Sequence, residues 1–118
     1  MPWEIRIIDE AQKDYKKLDH GVRKQVLAGI LKVSKAPLPS PEGYGKPLGN
    51  KKANNLTGFF KIKYKGMGIR VVYTLVLDKH AMNIVAISPR DDNYCYELAK
   101  KIYRKYGKSI FKDVFDNL

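Results

Sequence analysis

The chain has 118 residues, room for one domain, and 44% of them are hydrophobic, enough for a packed core. Its single cysteine, Cys95, excludes an internal disulfide, no apolar run reaches the roughly 18 residues of a membrane span, and the start Met1-Pro2-Trp3-Glu4 lacks the parts of a signal peptide, so a cytoplasmic protein away from membranes is expected. Lys plus Arg number 23 against 12 Asp plus Glu, a net charge of +11 whose field draws polyanions, nucleic acids first among them.

Trp3, Ile5 and Ile7 alternate with Glu4 and Arg6, which predicts a first strand. Asp9, with Gln12 three residues on, reads as the N-cap of a helix whose apolar stripe is Ala11, Tyr15 and Leu18. After the break at Asp19-His20-Gly21, a second helix runs on Val22, Val26, Leu27, Ile30, Leu31 and Val33. It must stop before Pro37, because the residue preceding proline avoids helical geometry. From Pro37 to Thr57 the chain is dense in Pro, Gly and Asn, which predicts a long loop. That loop carries Lys46, Lys51 and Lys52, and is either a basic flap over a polyanion site or a plain surface connection.

Three strand-like runs follow, Phe59 to Tyr64, Ile69 to Leu77 and Met82 to Ile87. The short turns at residues 65–68 and 78–80 make neighbouring strands antiparallel. A helix starting at Asp92 or Asn93 carries Leu98, Ile102 and Tyr106. Gly107 ends or kinks it, and Phe111, Val114 and Phe115 mark a further short helical piece in an extension over residues 107–118. The order β-α-α-β-β-β-α predicts a single α+β domain over residues 1–118, an antiparallel sheet of about four strands with helices packed on one face.

The charge is unevenly spread. Between Gly43 and Leu77 stand seven basic residues, Lys46, Lys51, Lys52, Lys61, Lys63, Lys65 and Arg70, and no acid. Residues two apart on a strand share a face, so Lys61 and Lys63 project together, and the four-residue turn folds Arg70 back beside one of them. Arg90 follows the last strand, and Tyr94 and Tyr96 lie where the chain enters the helix. All of these are expected around one concave surface. Singly, each has a plainer explanation: solvated lysines, a cross-strand arginine, core tyrosines.

As a set they suit RNA cleavage by the 2′-hydroxyl. That reaction needs a base for the hydroxyl, cations for the phosphorane and a proton source for the 5′-oxygen. A lysine is a poor base at neutral pH unless neighbouring cations disfavour its charged form. His20 and His80 sit in polar turns, and no His, Cys, Asp or Glu cluster has metal-ligand spacing, so neither metal nor cofactor is expected. A phosphate-cradling Gly loop and a nucleophile elbow are also missing from the sequence.

Four segments in order, Phe60-Lys61-Ile62-Lys63-Tyr64, Gly68-Ile69-Arg70-Val71-Val72-Tyr73, Ile87-Ser88-Pro89-Arg90 and Tyr96-Glu97-Leu98-Ala99, resemble the RelE branch of the RelE/ParE superfamily of bacterial toxins. Lys13, Lys16, Lys17, Leu18 and Asp19 ahead of the helix near Val22 fit the same pattern, so the resemblance runs from Trp3 to about Ile102. It implies the toxin of a type II toxin–antitoxin system, an endoribonuclease that cleaves messenger RNA in the ribosomal A site without metal. By similarity Lys63 is the general base, Lys61 and Arg70 hold the scissile phosphate, Arg90 serves the leaving group, and Tyr96 stacks on the RNA base. Lys46, Lys51, Lys52, Lys65 and Tyr94 are expected to make further nucleic-acid contacts. Partners implied are the ribosome, mRNA and a small acidic antitoxin. Arginine stays protonated in essentially all proteins, so Arg90 fits better as an electrostatic stabiliser than as a proton donor. The loop from Pro37 to Thr57 and the residues after Tyr106 exceed the family pattern. Two rivals stand beside this reading: a gyrase poison of the same fold, and a basic nucleic-acid-binding module without activity.

Overall fold

A computed structural model describes residues 2–39, 41–51, 54–88 and 92–111, with side chains left aside at 49–51, 54–57, 92 and 93. The elements are β1 (Glu4–Ile7), α1 (Asp9–Lys16), α2 (His20–Ser34), β2 (Lys46–Lys51), β3 (Asn54–Tyr64), β4 (Ile69–Val76), β5 (Ala81–Ser88) and α3 (Asp92–Tyr106), the last followed by a 3-10 turn, Gly107–Phe111. The sheet runs β1-β5-β4-β3-β2. β2 to β5 are antiparallel to their neighbours, while β1 pairs with β5 in parallel. The α+β class is as expected. The extra strand is β2, formed by residues assigned to the loop.

Both helix starts differ slightly from the sequence reading. Ile8 occupies the N-cap of α1, so Asp9 and Glu10 sit in its first turn, where carboxylates favour the helix dipole. α2 begins at His20 with Asp19 as its N-cap. Val26, Ile30 and Val33 form its buried stripe, whereas Leu27 and Leu31 stay exposed. α3 ends at Tyr106, and Gly107 beyond it has φ +61, the left-handed geometry that stops helices.

The helices divide between the two faces of the sheet, where the sequence suggested a single covered face. Strand alternation puts Phe60, Ile62 and Tyr64 of β3 with Val71 and Tyr73 of β4 on one side. That side meets α2: the Tyr64 hydroxyl donates to the Val26 carbonyl at 2.6 Å, and the Tyr73 hydroxyl to the Pro37 carbonyl at 2.9 Å. Gly29 permits this approach, because a Cβ there would run into the Tyr64 ring and hydroxyl. Burial pushes both phenols up.

The opposite side carries Phe59, Lys61, Lys63, Arg70, Val72 and Thr74, and receives α3 with its 3-10 turn. Phe59 packs edge-on against Tyr103 and Phe111, with ring centres 6.3 and 5.7 Å away. Thr74 and its strand partner Asn83, both fully buried, donate to one acceptor, the Ile110 carbonyl, at 2.7 and 2.9 Å. Two-sided cover explains why every residue of Val71–Val76 and of Ala81–Ser88 is buried. None of the described helices is long and apolar enough to cross a membrane.

Candidate active site

The register of three strands assembles the predicted basic residues. Lys63 pairs directly with Arg70, and Arg70 with Ser88, so the three form one row across β3, β4 and β5. One step along, Lys46 of β2 pairs with Lys61. Directly paired residues project to the same side, so Lys46, Lys61, Lys63 and Arg70 share a face, with neighbouring strands about 4.8 Å apart. Lys63 and Lys46 are exposed, and Lys61 and Arg70 half-buried. Four cations from three strands thus share one face of the sheet.

The remaining candidates separate. Lys65 is exposed in the β3–β4 turn, next to this patch in the chain. Lys51 closes β2 opposite Asn54. Lys52 and Arg90 lie outside the described residues. Arg90 follows Ser88, the end of the basic row, by two positions in the chain.

The two tyrosines point different ways around α3. Tyr96, expected to offer its ring to an RNA base, is only 6% exposed and belongs to the core. With Ala99 and Tyr103 it forms an i, i+3, i+7 stripe, and the Tyr103 contact with Phe59 sets that stripe over β3. Tyr94 is the exposed one, at 38%. It lines a different place, a cleft of about 400 Å³ between α1 and α3 that also holds Lys13, Lys17, Lys101 and Lys105. His80, which the sequence places in a polar turn, stacks on Trp3 with ring centres 4.6 Å apart, at the far end of β4 from Arg70. Among the described residues no three His, Cys, Asp or Glu side chains come together as a metal-ligand set.

Two carboxylates of α1 that sequence reasoning passed over line that same cleft and tie α1 to its neighbours. Glu10 of α1 accepts from Lys105 at 2.5 Å and from the Tyr106 hydroxyl at 2.9 Å, joining α1 to the end of α3. Burial alone would raise the Glu10 carboxyl, but these hydrogen bonds outweigh it and hold it below the ordinary value.

Asp14 does a different job. β1 reaches only to Ile84, which leaves the next stretch of the β5 edge without a strand, and the Asp14 carboxylate accepts the Ile87 N–H there at 3.3 Å. Burial pushes the Asp14 carboxyl up, and the Ile87 hydrogen bond and Lys17 only partly offset this. A group whose folded pKa is raised favours the fold below the ordinary carboxylate range and loses that contribution as pH rises through the folded value. Asp14→Asn keeps an oxygen for Ile87 and carries no charge to desolvate. The variant is therefore expected to melt higher than the parent at pH 7 and level with it near pH 3, as thermal scans at the two pH values would show. Equal melting at pH 7 would refute the desolvation account.

No protein-family model matches the sequence. A sequence relative does: the chain is 25% identical over 105 residues to an Escherichia coli protein provisionally named a RelE-like toxin protein, covering 88% of this chain and all of the relative. Among solved structures, a two-arginine mutant of the E. coli toxin RelE in the free state superposes with a TM-score of 0.65 at 24% identity, over 86% of this chain and 98% of that one. The toxin–antitoxin complex RelBE2 of Mycobacterium tuberculosis gives 0.59 at 21%, over 75% and 91%. The chain therefore has the RelE fold, and its sequence resembles a RelE-like toxin over almost its whole length.

Proposed function

We propose that this RelE-type chain is the toxin of a type II toxin–antitoxin pair and acts as an endoribonuclease on messenger RNA in the ribosome. The observation that carries this reading is the shared face of Lys61, Lys63 and Arg70, with Lys63 in register with Arg70. A phosphorane bears more negative charge than the phosphodiester it comes from, so cations fixed before the reaction favour the transition state over the ground state.

Lys63, the exposed member, takes the 2′-hydroxyl proton as that oxygen attacks phosphorus. Lys61 and Arg70 bind the non-bridging oxygens, the guanidinium in bidentate fashion. The P–O5′ bond breaks to leave a 2′,3′-cyclic phosphate; Arg90 stabilises the charge on the departing oxygen, and water supplies the proton that completes the 5′-hydroxyl. Tyr96, on the buried face of α3, serves as a positioning residue, since its burial leaves base stacking to another ring. The partner is a small acidic antitoxin whose charge complements the +11 of this chain. Relatives of the same fold solved as toxin–antitoxin complexes support that partner.

Primer extension on a translated message separates this reading from its rivals. Cuts at codon-aligned positions with cyclic phosphate ends are expected, and the untranslated message should stay whole. An intact message with accumulating DNA breaks would identify a gyrase poison instead. Neither lesion, with affinity that falls steeply with salt, would leave a binding module.

A further inference from the structure

A second basic feature wraps the edge of β3. β2 pairs with β3 only as far as Lys46 and Lys61, so Ile62, Lys63 and Tyr64 have no β2 residue beside them. A groove of about 300 Å³ runs over this edge from α2, lined by Lys32, Tyr44, Lys46, Lys61 and Lys63 among others, and none of its lining residues is acidic. Of the basic face, Lys46, Lys61 and Lys63 reach this groove, together with Gly29, Ile62 and Tyr64 from the α2 side. Tyr44 lines it as well.

Tyr44 is 52% exposed, and the Lys32 ammonium lies 5.5 Å from its ring centre. Its backbone is pinned. The Tyr44 N–H donates to the Ala36 carbonyl at 2.8 Å, and the Gly45 N–H to the Leu38 carbonyl at 2.9 Å. Gly43 presses against the same two carbonyls, too close for any Cβ. A large ring held outward on a braced loop, amid cations, forgoes burial and loses little entropy on stacking. That combination suits an unpaired base with its phosphate, because every base offers a π-face and lysines track the backbone.

We propose that this groove is a second RNA subsite, which takes the unpaired message nucleotide next to the scissile phosphate, its base on Tyr44 and its phosphate on Lys32 and Lys46. The position next to the scissile phosphate rests on the nuclease reading above; the stacking platform does not. The test uses a fluorescent, fully 2′-O-methylated hexanucleotide, which binds and cannot be cut, titrated against the full chain by anisotropy. Tyr44→Ala is expected to weaken binding about 5- to 100-fold, the worth of one stacked base, with unchanged melting temperature. Tyr44→Phe should bind like the parent, and Lys32→Glu should flatten the salt dependence.

Equal affinity of Tyr44→Ala and the parent, or no binding by the parent, overturns the subsite. So does a loss confined to ribosomes with an empty A site, which would place the ring on ribosomal RNA. If Tyr44→Ala weakens hexanucleotide binding while the parent leaves translated message whole, the subsite stands and the nuclease reading fails.

Discussion

Replacing Lys63 by alanine is expected to slow message cleavage by about 10²- to 10⁴-fold, the usual worth of a positioned general base, with no change in melting temperature. The side chain is exposed and on the outer part of its strand, so its removal empties no cavity. Lys63→Arg sharpens the test. It keeps the positive charge and cannot accept a proton at neutral pH, so RNA affinity should persist while the rate stays as low as in the alanine variant. Arg70→Ala should fall in the same range of rate, because a charge-assisted contact to the phosphorane is lost. Single-turnover rates on programmed ribosomes measure all three. A Lys63→Ala variant that cleaves within about threefold of the parent would remove Lys63 from the chemistry, whatever the register of the sheet.

Gly43→Ala is expected to cost about 1–3 kcal/mol or more, lowering the melting temperature by some 4–15 °C, although the change adds one methyl group at a loop position. The added Cβ would collide with the Ala36 carbonyl and lie 2.6 Å from that of Leu38. Neither acceptor can step aside, because each already receives a backbone hydrogen bond, from Tyr44 and from Gly45. Relief therefore requires those bonds to break, and the loop loses its grip on the end of α2. Gly21→Ala provides the contrast. It lies in the first turn of α2 with nothing within 4 Å of an added Cβ, so better helix propensity should stabilise the fold by up to about 1 kcal/mol. Urea denaturation of the pair checks the opposite signs.

How far the sequence could be read depended on whether the signal was local. Lys61, Lys63 and Arg70 could be grouped because strand alternation and a four-residue turn are local rules, and the observed register agrees. β2 escaped notice. Lys46-Pro47-Leu48-Gly49-Asn50-Lys51 has poor strand propensity and tolerates its proline only as an edge, with a bulge between Pro47 and Gly49. Only pairing with β3 makes it a strand. The two-sided cover was partly visible. Ile69–Val76 and Ala81–Ile87 are almost continuously apolar, a pattern that one covered face does not need. What the pattern cannot say is which helix goes where. Tyr96 was assigned by motif to the RNA, whereas its helical spacing to Ala99 and Tyr103 marks a core stripe. Asp14 carried no sequence signal, since its role depends on a strand edge 73 positions away.

The parallel pairing of β1 with β5 has a consequence for synthesis. Glu4–Ile7 leaves the ribosome ahead of the other described strands, and among the described residues its neighbour in the sheet is Ala81–Ile84. It must wait, unpartnered, until most of the polypeptide has emerged, and such distant pairing is slow to form. The basic row closes at Ser88, later still. An unfinished chain accordingly holds its lysines without the scaffold that aligns them, so a ribosome translating this message is expected to meet an assembled row only after elongation has passed the fifth strand.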